Sequence, residues 1–169
     1  MRIQKMFGLV FVVFMAVMTT SAAVCQEPAF SPAQELAPGI WLSQTISPET
    51  TRPCVPDEYT LCFHDGRFSV VVTVDWMNED GGWPATVQNR ISDVSGTYWF
   101  YSPYNIEVAV KMLDGCWING RYWAFVSVMS DQPIMLEIRD IETGMRSVYI
   151  TFGGRPASWG DTEYGFWCL

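Results

Sequence analysis

The chain is poor in the groups that enzymes use most. It holds one histidine, His64, and 10 basic side chains against 18 acidic ones, a formal net charge of −8. No C-x-x-C pair occurs and there is a single imidazole, so the spacing of a structural zinc site is missing. No G-x-S-x-G occurs either, and Ser95-Gly96 reads as an ordinary turn. A nucleophilic serine needs a sharp, strained turn with a histidine beside it. His64, followed by Asp-Gly, reads as a surface turn histidine instead. The basic residues form no cluster, which excludes nucleic acid as a partner. No segment carries a helical apolar stripe, and there is no internal repeat.

Acids are plentiful but scattered: Asp75, Glu79, Asp80, Glu107, Asp114, Glu137, Asp140, Asp161 and Glu163. Most fall in turns or on solvent-facing strand positions, and none stands out as a glycosidase pair. "DWMNEDGG" brings Asp75, Asn78, Glu79 and Asp80 close in sequence. Such oxygen ligands could hold a calcium ion, although the spacing departs from the EF-hand. No other cofactor is expected.

Long hydrophobic runs are also missing. The longest, "MFGLVFVVFMAVM", has 13 residues, where a membrane span needs about 20. Arg2 and Lys5 precede it and "TTSAAV" follows. That is the layout of a signal peptide over residues 1–23, with Ser21 and Ala23 as the small residues before the cut. A lipoprotein whose first residue is Cys25 is the other reading, but Val24 stands where such a site needs Gly, Ala or Ser. Cleavage leaves no segment for stable membrane insertion. It also leaves 8 basic against 18 acidic side chains, a net charge of −10. The expected location is therefore secreted or periplasmic.

An exported chain meets an oxidising compartment, where cysteines pair. Beyond Cys25 there are four, Cys54, Cys62, Cys116 and Cys168, which allow three connectivities. The pairing adopted here joins Cys54 with Cys62, which are close in sequence, and Cys116 with Cys168. A loop of about 50 residues should contribute on the order of 4 kcal/mol in the chain-entropy picture.

Residues 24–53 are rich in Pro, Ser and Thr and read as a linker or extended arm, with "GIWLSQTI" able to form one short strand. From residue 54 to 169 the apolar period is two. Phe68, Val70, Val72, Val74 and Trp76 share one face. Ile106, Val108, Val110 and Met112 alternate with polar or small residues, as do Ile134, Leu136 and Ile138, and then Val148, Ile150 and Phe152. "TYWFYS" and "YWAFVSVMS" are apolar on both faces and read as doubly covered strands. Turn signals such as "LDG", "ING" and "ETG" separate the runs. The long 77–96 connection should hold an edge strand around 86–91 and a mobile tip. The pattern predicts an all-β fold, an antiparallel β-sandwich of immunoglobulin-like architecture with about seven strands and two disulfides; a small β-barrel is the alternative.

"LCFHDGRFSVVVTVDW", "SGTYWFYSPYNIEVAVKMLDGCWINGRYWAFV", "LEIRDIETGMRSVYI" and "GDTEYGF" follow one another in that order. Together they resemble an uncharacterised β-rich module of secreted bacterial proteins, over roughly residues 54–168. The resemblance implies export, a β fold and paired cysteines, and it carries no catalytic residues. This chain departs from it in carrying the module almost alone and in its 75–97 connection. Arg67, in the module-like "GRF", is expected to pair with a carboxylate such as Asp161.

What the sequence has in excess is tryptophan, eight in all. Trp76, Trp99 and Trp123 read as core. Trp83, Trp117 and Trp159 lie in apparent loops and are the candidate binding residues, with Trp117 either capping the disulfide or facing outward. The expected function is a non-enzymatic binding module for an extracellular or envelope protein or glycan. An inhibitor of a hydrolase, using the 77–96 connection, and a structural envelope component are the alternatives.

Overall fold

The computed structural model describes residues 30–47 and 52–169. The expected signal peptide and Cys25 lie outside the described residues. Twelve strands form: β1 (Phe30–Ala37), β2 (Ile40–Ile46), β3 (Thr60–Phe63), β4 (Phe68–Val74), β5 (Trp83–Pro84), β6 (Thr86–Ser92), β7 (Ser95–Trp99), β8 (Val108–Gly115), β9 (Arg121–Val128), β10 (Ile134–Asp140), β11 (Met145–Thr151) and β12 (Ala157–Trp167). One helical turn, α1 (Cys116–Asn119), joins β8 to β9. Among the described residues no helix is long and apolar enough to cross a membrane.

The strands make two antiparallel sheets, not a closed barrel. One has seven strands in the order β1-β2-β11-β10-β4-β3, with β5 also on β4; the other runs β12-β9-β8-β7-β6. Five strands exceed the expected count in an instructive way. β1 and β2 come from the stretch read as a linker. Pro32 sits in the edge strand β1 and Pro38 in the turn after it, where proline does little harm. β2 pairs with β11 and buries Ile40 and Leu42, so this hairpin belongs to the sandwich. β3 and β5 are too short to show a period. β12 carries Ser158, Gly160, Asp161 and Gly165 and reads as a loop around Trp159.

Alternation places the core as expected on β4, β8 and β10: Phe68, Val70, Val72 and Val74, Val108, Val110 and Met112, and Ile134, Leu136 and Ile138 are all buried. Asp75 takes a left-handed φ of +51°, ending β4 before Trp76 can share its face. β9 buries one face, with Ala124, Val126 and Val128, and only half-covers the other, so it is not doubly covered. β11 is inverted relative to its hydrophobicity. The pairs Leu136↔Tyr149 and Ile138↔Ser147 turn Met145, Ser147, Tyr149 and Thr151 inward. Ile150 faces outward, where it pairs with Trp41 and Met135 on the neighbouring strands.

Two phenols cross the interlayer in opposite directions. Tyr98 of β7 reaches the other sheet, where its hydroxyl donates to Val70 O at 2.6 Å and accepts from Leu61 N at 3.3 Å. Leu61 and Val70 are partners across β3 and β4. Burial raises the Tyr98 pKa, so the group stays a neutral donor. Tyr149 of β11 crosses the other way and donates to Asp161 Oδ2 of β12 at 2.8 Å.

Tyr98→Phe keeps the ring and removes the hydrogen bonds. It should lower unfolding stability by about 1–2 kcal/mol in urea titration; an unchanged midpoint contradicts a bracing role.

Candidate functional site

The three tryptophans singled out from the sequence do not converge. Trp159 points inward from β12, is 7% exposed and lies 5.8 Å from the Tyr149 ring. It is core, and its Ser/Gly neighbours, which read as loop, are solvent-facing strand positions. Trp83 pairs with Val74 where β4 ends, whereas Trp117 follows the end of β8. The start of β4 packs against the end of β8, because His64 Nε2 lies 3.3 Å from Met112 O and Phe68 packs on Tyr122. Trp83 and Trp117 therefore stand at opposite ends of the sandwich.

The Trp117 end is a knuckle closed by local hydrogen bonds of exposed polar side chains. The Asp114 carboxylate accepts the Cys116 N–H at 2.8 Å and starts α1. Gly120, with φ +74°, closes the turn by donating to Cys116 O at 3.1 Å. Asn119 accepts from Trp123 Nε1 at 2.9 Å and donates to Thr162 O at 2.7 Å. The disulfide Cys116–Cys168 then fastens the C-terminus to the turn, and Cys168 N donates to Gly120 O. Cys54–Cys62, the other expected pair, also forms. The apolar side chains of the knuckle are exposed as well. Trp117 is 98% exposed, Ile118 74% and Leu169 86%. Trp167 is half exposed, with the Arg121 guanidinium 3.5 Å over its ring. Trp117 thus faces outward rather than capping the disulfide. Ile118, Trp167 and Leu169 were not singled out, although each lies within two residues of one of the paired cysteines. The ligand atoms of Asp114, Cys116 and Cys168 lie within 4.8 Å of one another, but the two sulfurs are bonded to each other and offer no thiolates.

At the opposite end, the 77–96 connection is mostly structured, since it contains β5 and β6. Its tip is tied by Asn78, whose Oδ1 accepts from Asp80 N and Gly82 N. Gly82, at φ +83°, has no room for a side chain: a Cβ would lie 2.2 Å from Val74 O. Among the described residues, Asp75, Glu79 and Asp80 are not gathered into a three-ligand set. Met77, Tyr101, Tyr104 and Phe152 are exposed. Partial desolvation, then Asp131, Glu107 and Asp75, raise the pKa of Tyr101.

A cavity of about 400 Å³ lies beside His64 and Arg67, lined also by Pro53 and Glu142. Its arginine is already matched. Arg67 Nε and Nη2 donate to Asp140 at 3.1 and 2.8 Å, Nη2 also donates to Trp167 O at 2.7 Å, and Nη1 lies 3.1 Å from Glu142. The ring faces of Phe68 and Tyr122 lie 5.1 and 4.7 Å from its guanidinium carbon. The expected Arg67–Asp161 pair does not form. Register decides this: Asp140 is the strand partner of Phe68, so Arg67 is its neighbour. Asp140 is fully buried, and it also accepts from Glu142 N and Thr143 Oγ1 across the β10–β11 turn.

Asp161 is instead the buried anchor of a bulge in β12 between Asp161 and Phe166. It accepts from Tyr149 and, at 2.8 Å, from Tyr164 N. Burial raises its pKa above the ordinary 3.8, outweighing these hydrogen bonds. Comparison with family models, with curated proteins and with solved structures found no match.

Removing Asp140 leaves Arg67 without its main partner and the turn amides uncapped. Asp140→Ala should cost about 3–5 kcal/mol, while Glu142→Ala, at an exposed carboxylate, should cost about 1 or less; equal denaturant midpoints contradict this. A raised native pKa makes the Asp161 contribution greatest below the unfolded value and smaller as pH rises through the native one. The melting temperature of the wild type relative to Asp161→Asn should therefore fall as pH climbs from 3.8. A rise over that window reverses the assignment.

Proposed function

We propose that the protein is a non-enzymatic binding module of the cell exterior that docks a partner protein through the Trp117 knuckle. The observation that carries this reading is the 98% exposure of Trp117 on a turn locked by a disulfide. Leaving such a side chain in water forgoes about 1.5–3 kcal/mol of burial. Rigid exposed aromatics are the usual anchors of protein interfaces, because little side-chain freedom is lost on docking. Ile118 and Leu169 favour a protein over a glycan, since aliphatic chains fit an apolar pocket and offer sugars no ring face. Two disulfides suit an oxidising extracellular or periplasmic setting. The resemblance to a module of secreted proteins points the same way.

A second reading draws on the same feature. A protruding, disulfide-locked turn is suited to entering an enzyme cleft, so the module would act as an inhibitor of a secreted or envelope hydrolase. In that case the knuckle, rather than the 77–96 connection, is the inserted element.

Trp117→Ala gives up no burial and should leave the unfolding midpoint within about 0.5 kcal/mol of wild type. It should also weaken capture of the partner from an envelope extract by about thirtyfold or more. Trp83→Ala, at the far end, should retain capture. Capture that survives Trp117→Ala, or disappears only with Trp83→Ala, overturns the reading.

A further inference from the structure

The outer face of the five-stranded sheet holds an open groove of about 540 Å³, within the size range of small-molecule sites. Ile91, Ser95, Lys111, Phe125, Ser127 and Ser158 line it. Its shape follows from the register. Gly160, Phe125, Lys111 and Ser95 stand side by side across β12, β9, β8 and β7. Ser158, Ser127 and Ala109 form the next row. The Phe125 ring leans on Gly160, where a Cβ would be 2.9 Å from two of its carbons. The second row is small, so the ring and the lysine stand above it.

The charge here is unlike the rest of the molecule. The chain carries 18 acidic side chains, yet no residue lining this groove is acidic. Lys111 is the only lysine among the described residues, and none of their carboxylates pairs with it. Arg67, Arg90, Arg139 and Arg146 each have a carboxylate partner. We infer that this groove is a second binding site, separate from the Trp117 knuckle, and that it takes an acidic saccharide.

Each part of such a ligand has a counterpart. The exposed side of Phe125 offers an apolar surface to the C–H face of a sugar ring. The three serines supply hydroxyl donors and acceptors. Neighbouring strands are about 4.8 Å apart, so a ring over Phe125 brings a carboxylate on its rim within reach of Lys111. A peptide is disfavoured, because the backbone groups beneath the groove are already used in the β12-β9-β8-β7 ladders and cannot add a strand.

Affinity gel electrophoresis of the full exported chain tests this, with sodium polygalacturonate, neutral hydroxyethylcellulose or poly-glutamate cast in the gel. Protein and polyanion repel in bulk, so retardation by polygalacturonate requires a specific site. Polygalacturonate alone should retard the wild type. Lys111→Gln should weaken this by about tenfold, the loss of one charge-assisted contact. Phe125→Leu should weaken it as well, and Trp117→Ala should leave it intact. Equal retardation of Lys111→Gln and wild type overturns the assignment, as does retardation by the neutral polymer. Equal retardation by poly-glutamate overturns the saccharide, and loss in Trp117→Ala merges the site with the knuckle.

Discussion

No strand is common to the two sheets, so beyond a few backbone hydrogen bonds, such as Val87 N to Glu58 O, their union depends on what the side chains between them can do. Apolar burial supplies most of it, through the matched inner faces of β4, β10, β8 and β9. A polar atom entering that layer costs stability unless it finds a partner there. Tyr98, Tyr149 and Arg67 each find one. Tyr98 ends on the β3–β4 pair, Tyr149 ends on Asp161, and Arg67 ties Asp140 in one sheet to the last residues of β12 in the other.

The same economy shapes the surface. At the end of β8 the backbone has to turn within a few residues, and Asp114, Asn119 and Gly120 satisfy its groups locally. The turn satisfies its backbone with its own polar side chains, and Trp117 and Ile118 project beside them. The outer sheet face reaches a different result by a different route. There, small residues and a single ammonium leave a trough on an otherwise acidic protein. One surface is convex and apolar, the other concave and cationic, and they suit different partners.

Period-two runs made β4, β8 and β10 legible, because each is half-buried and its inward residues, Asp140 at the end of β10 excepted, are apolar. The cysteine pairing was legible for a similar reason: two of the four lie close together. β12 was hidden by its bulge, which breaks the alternation and brings Gly160 and Gly165 into a strand. Trp159 was misplaced with it. On β11 the hydrophobicity pointed the wrong way, since Tyr149 is needed inside for its hydroxyl while Ile150 packs on Trp41 outside. The Arg67 partner depended on the β4–β10 register, which a single sequence does not carry. Trp117 could be located but not oriented, because orientation was decided by the hydrogen bonds of its neighbours.

The β1–β2 hairpin has a consequence for how the chain is made. β2 lies between β1 and β11 in its sheet, and Leu42 faces Tyr149, about a hundred residues later. The hairpin emerges first and its partner edge almost last. Until β11 arrives, β2 presents an unpaired edge and two uncovered core residues, Ile40 and Leu42. The rest of the fold is more local: β6 to β9 form a sequential meander whose turns close quickly. Assembly is therefore ordered by distance along the chain, and the earliest segment waits longest for its place.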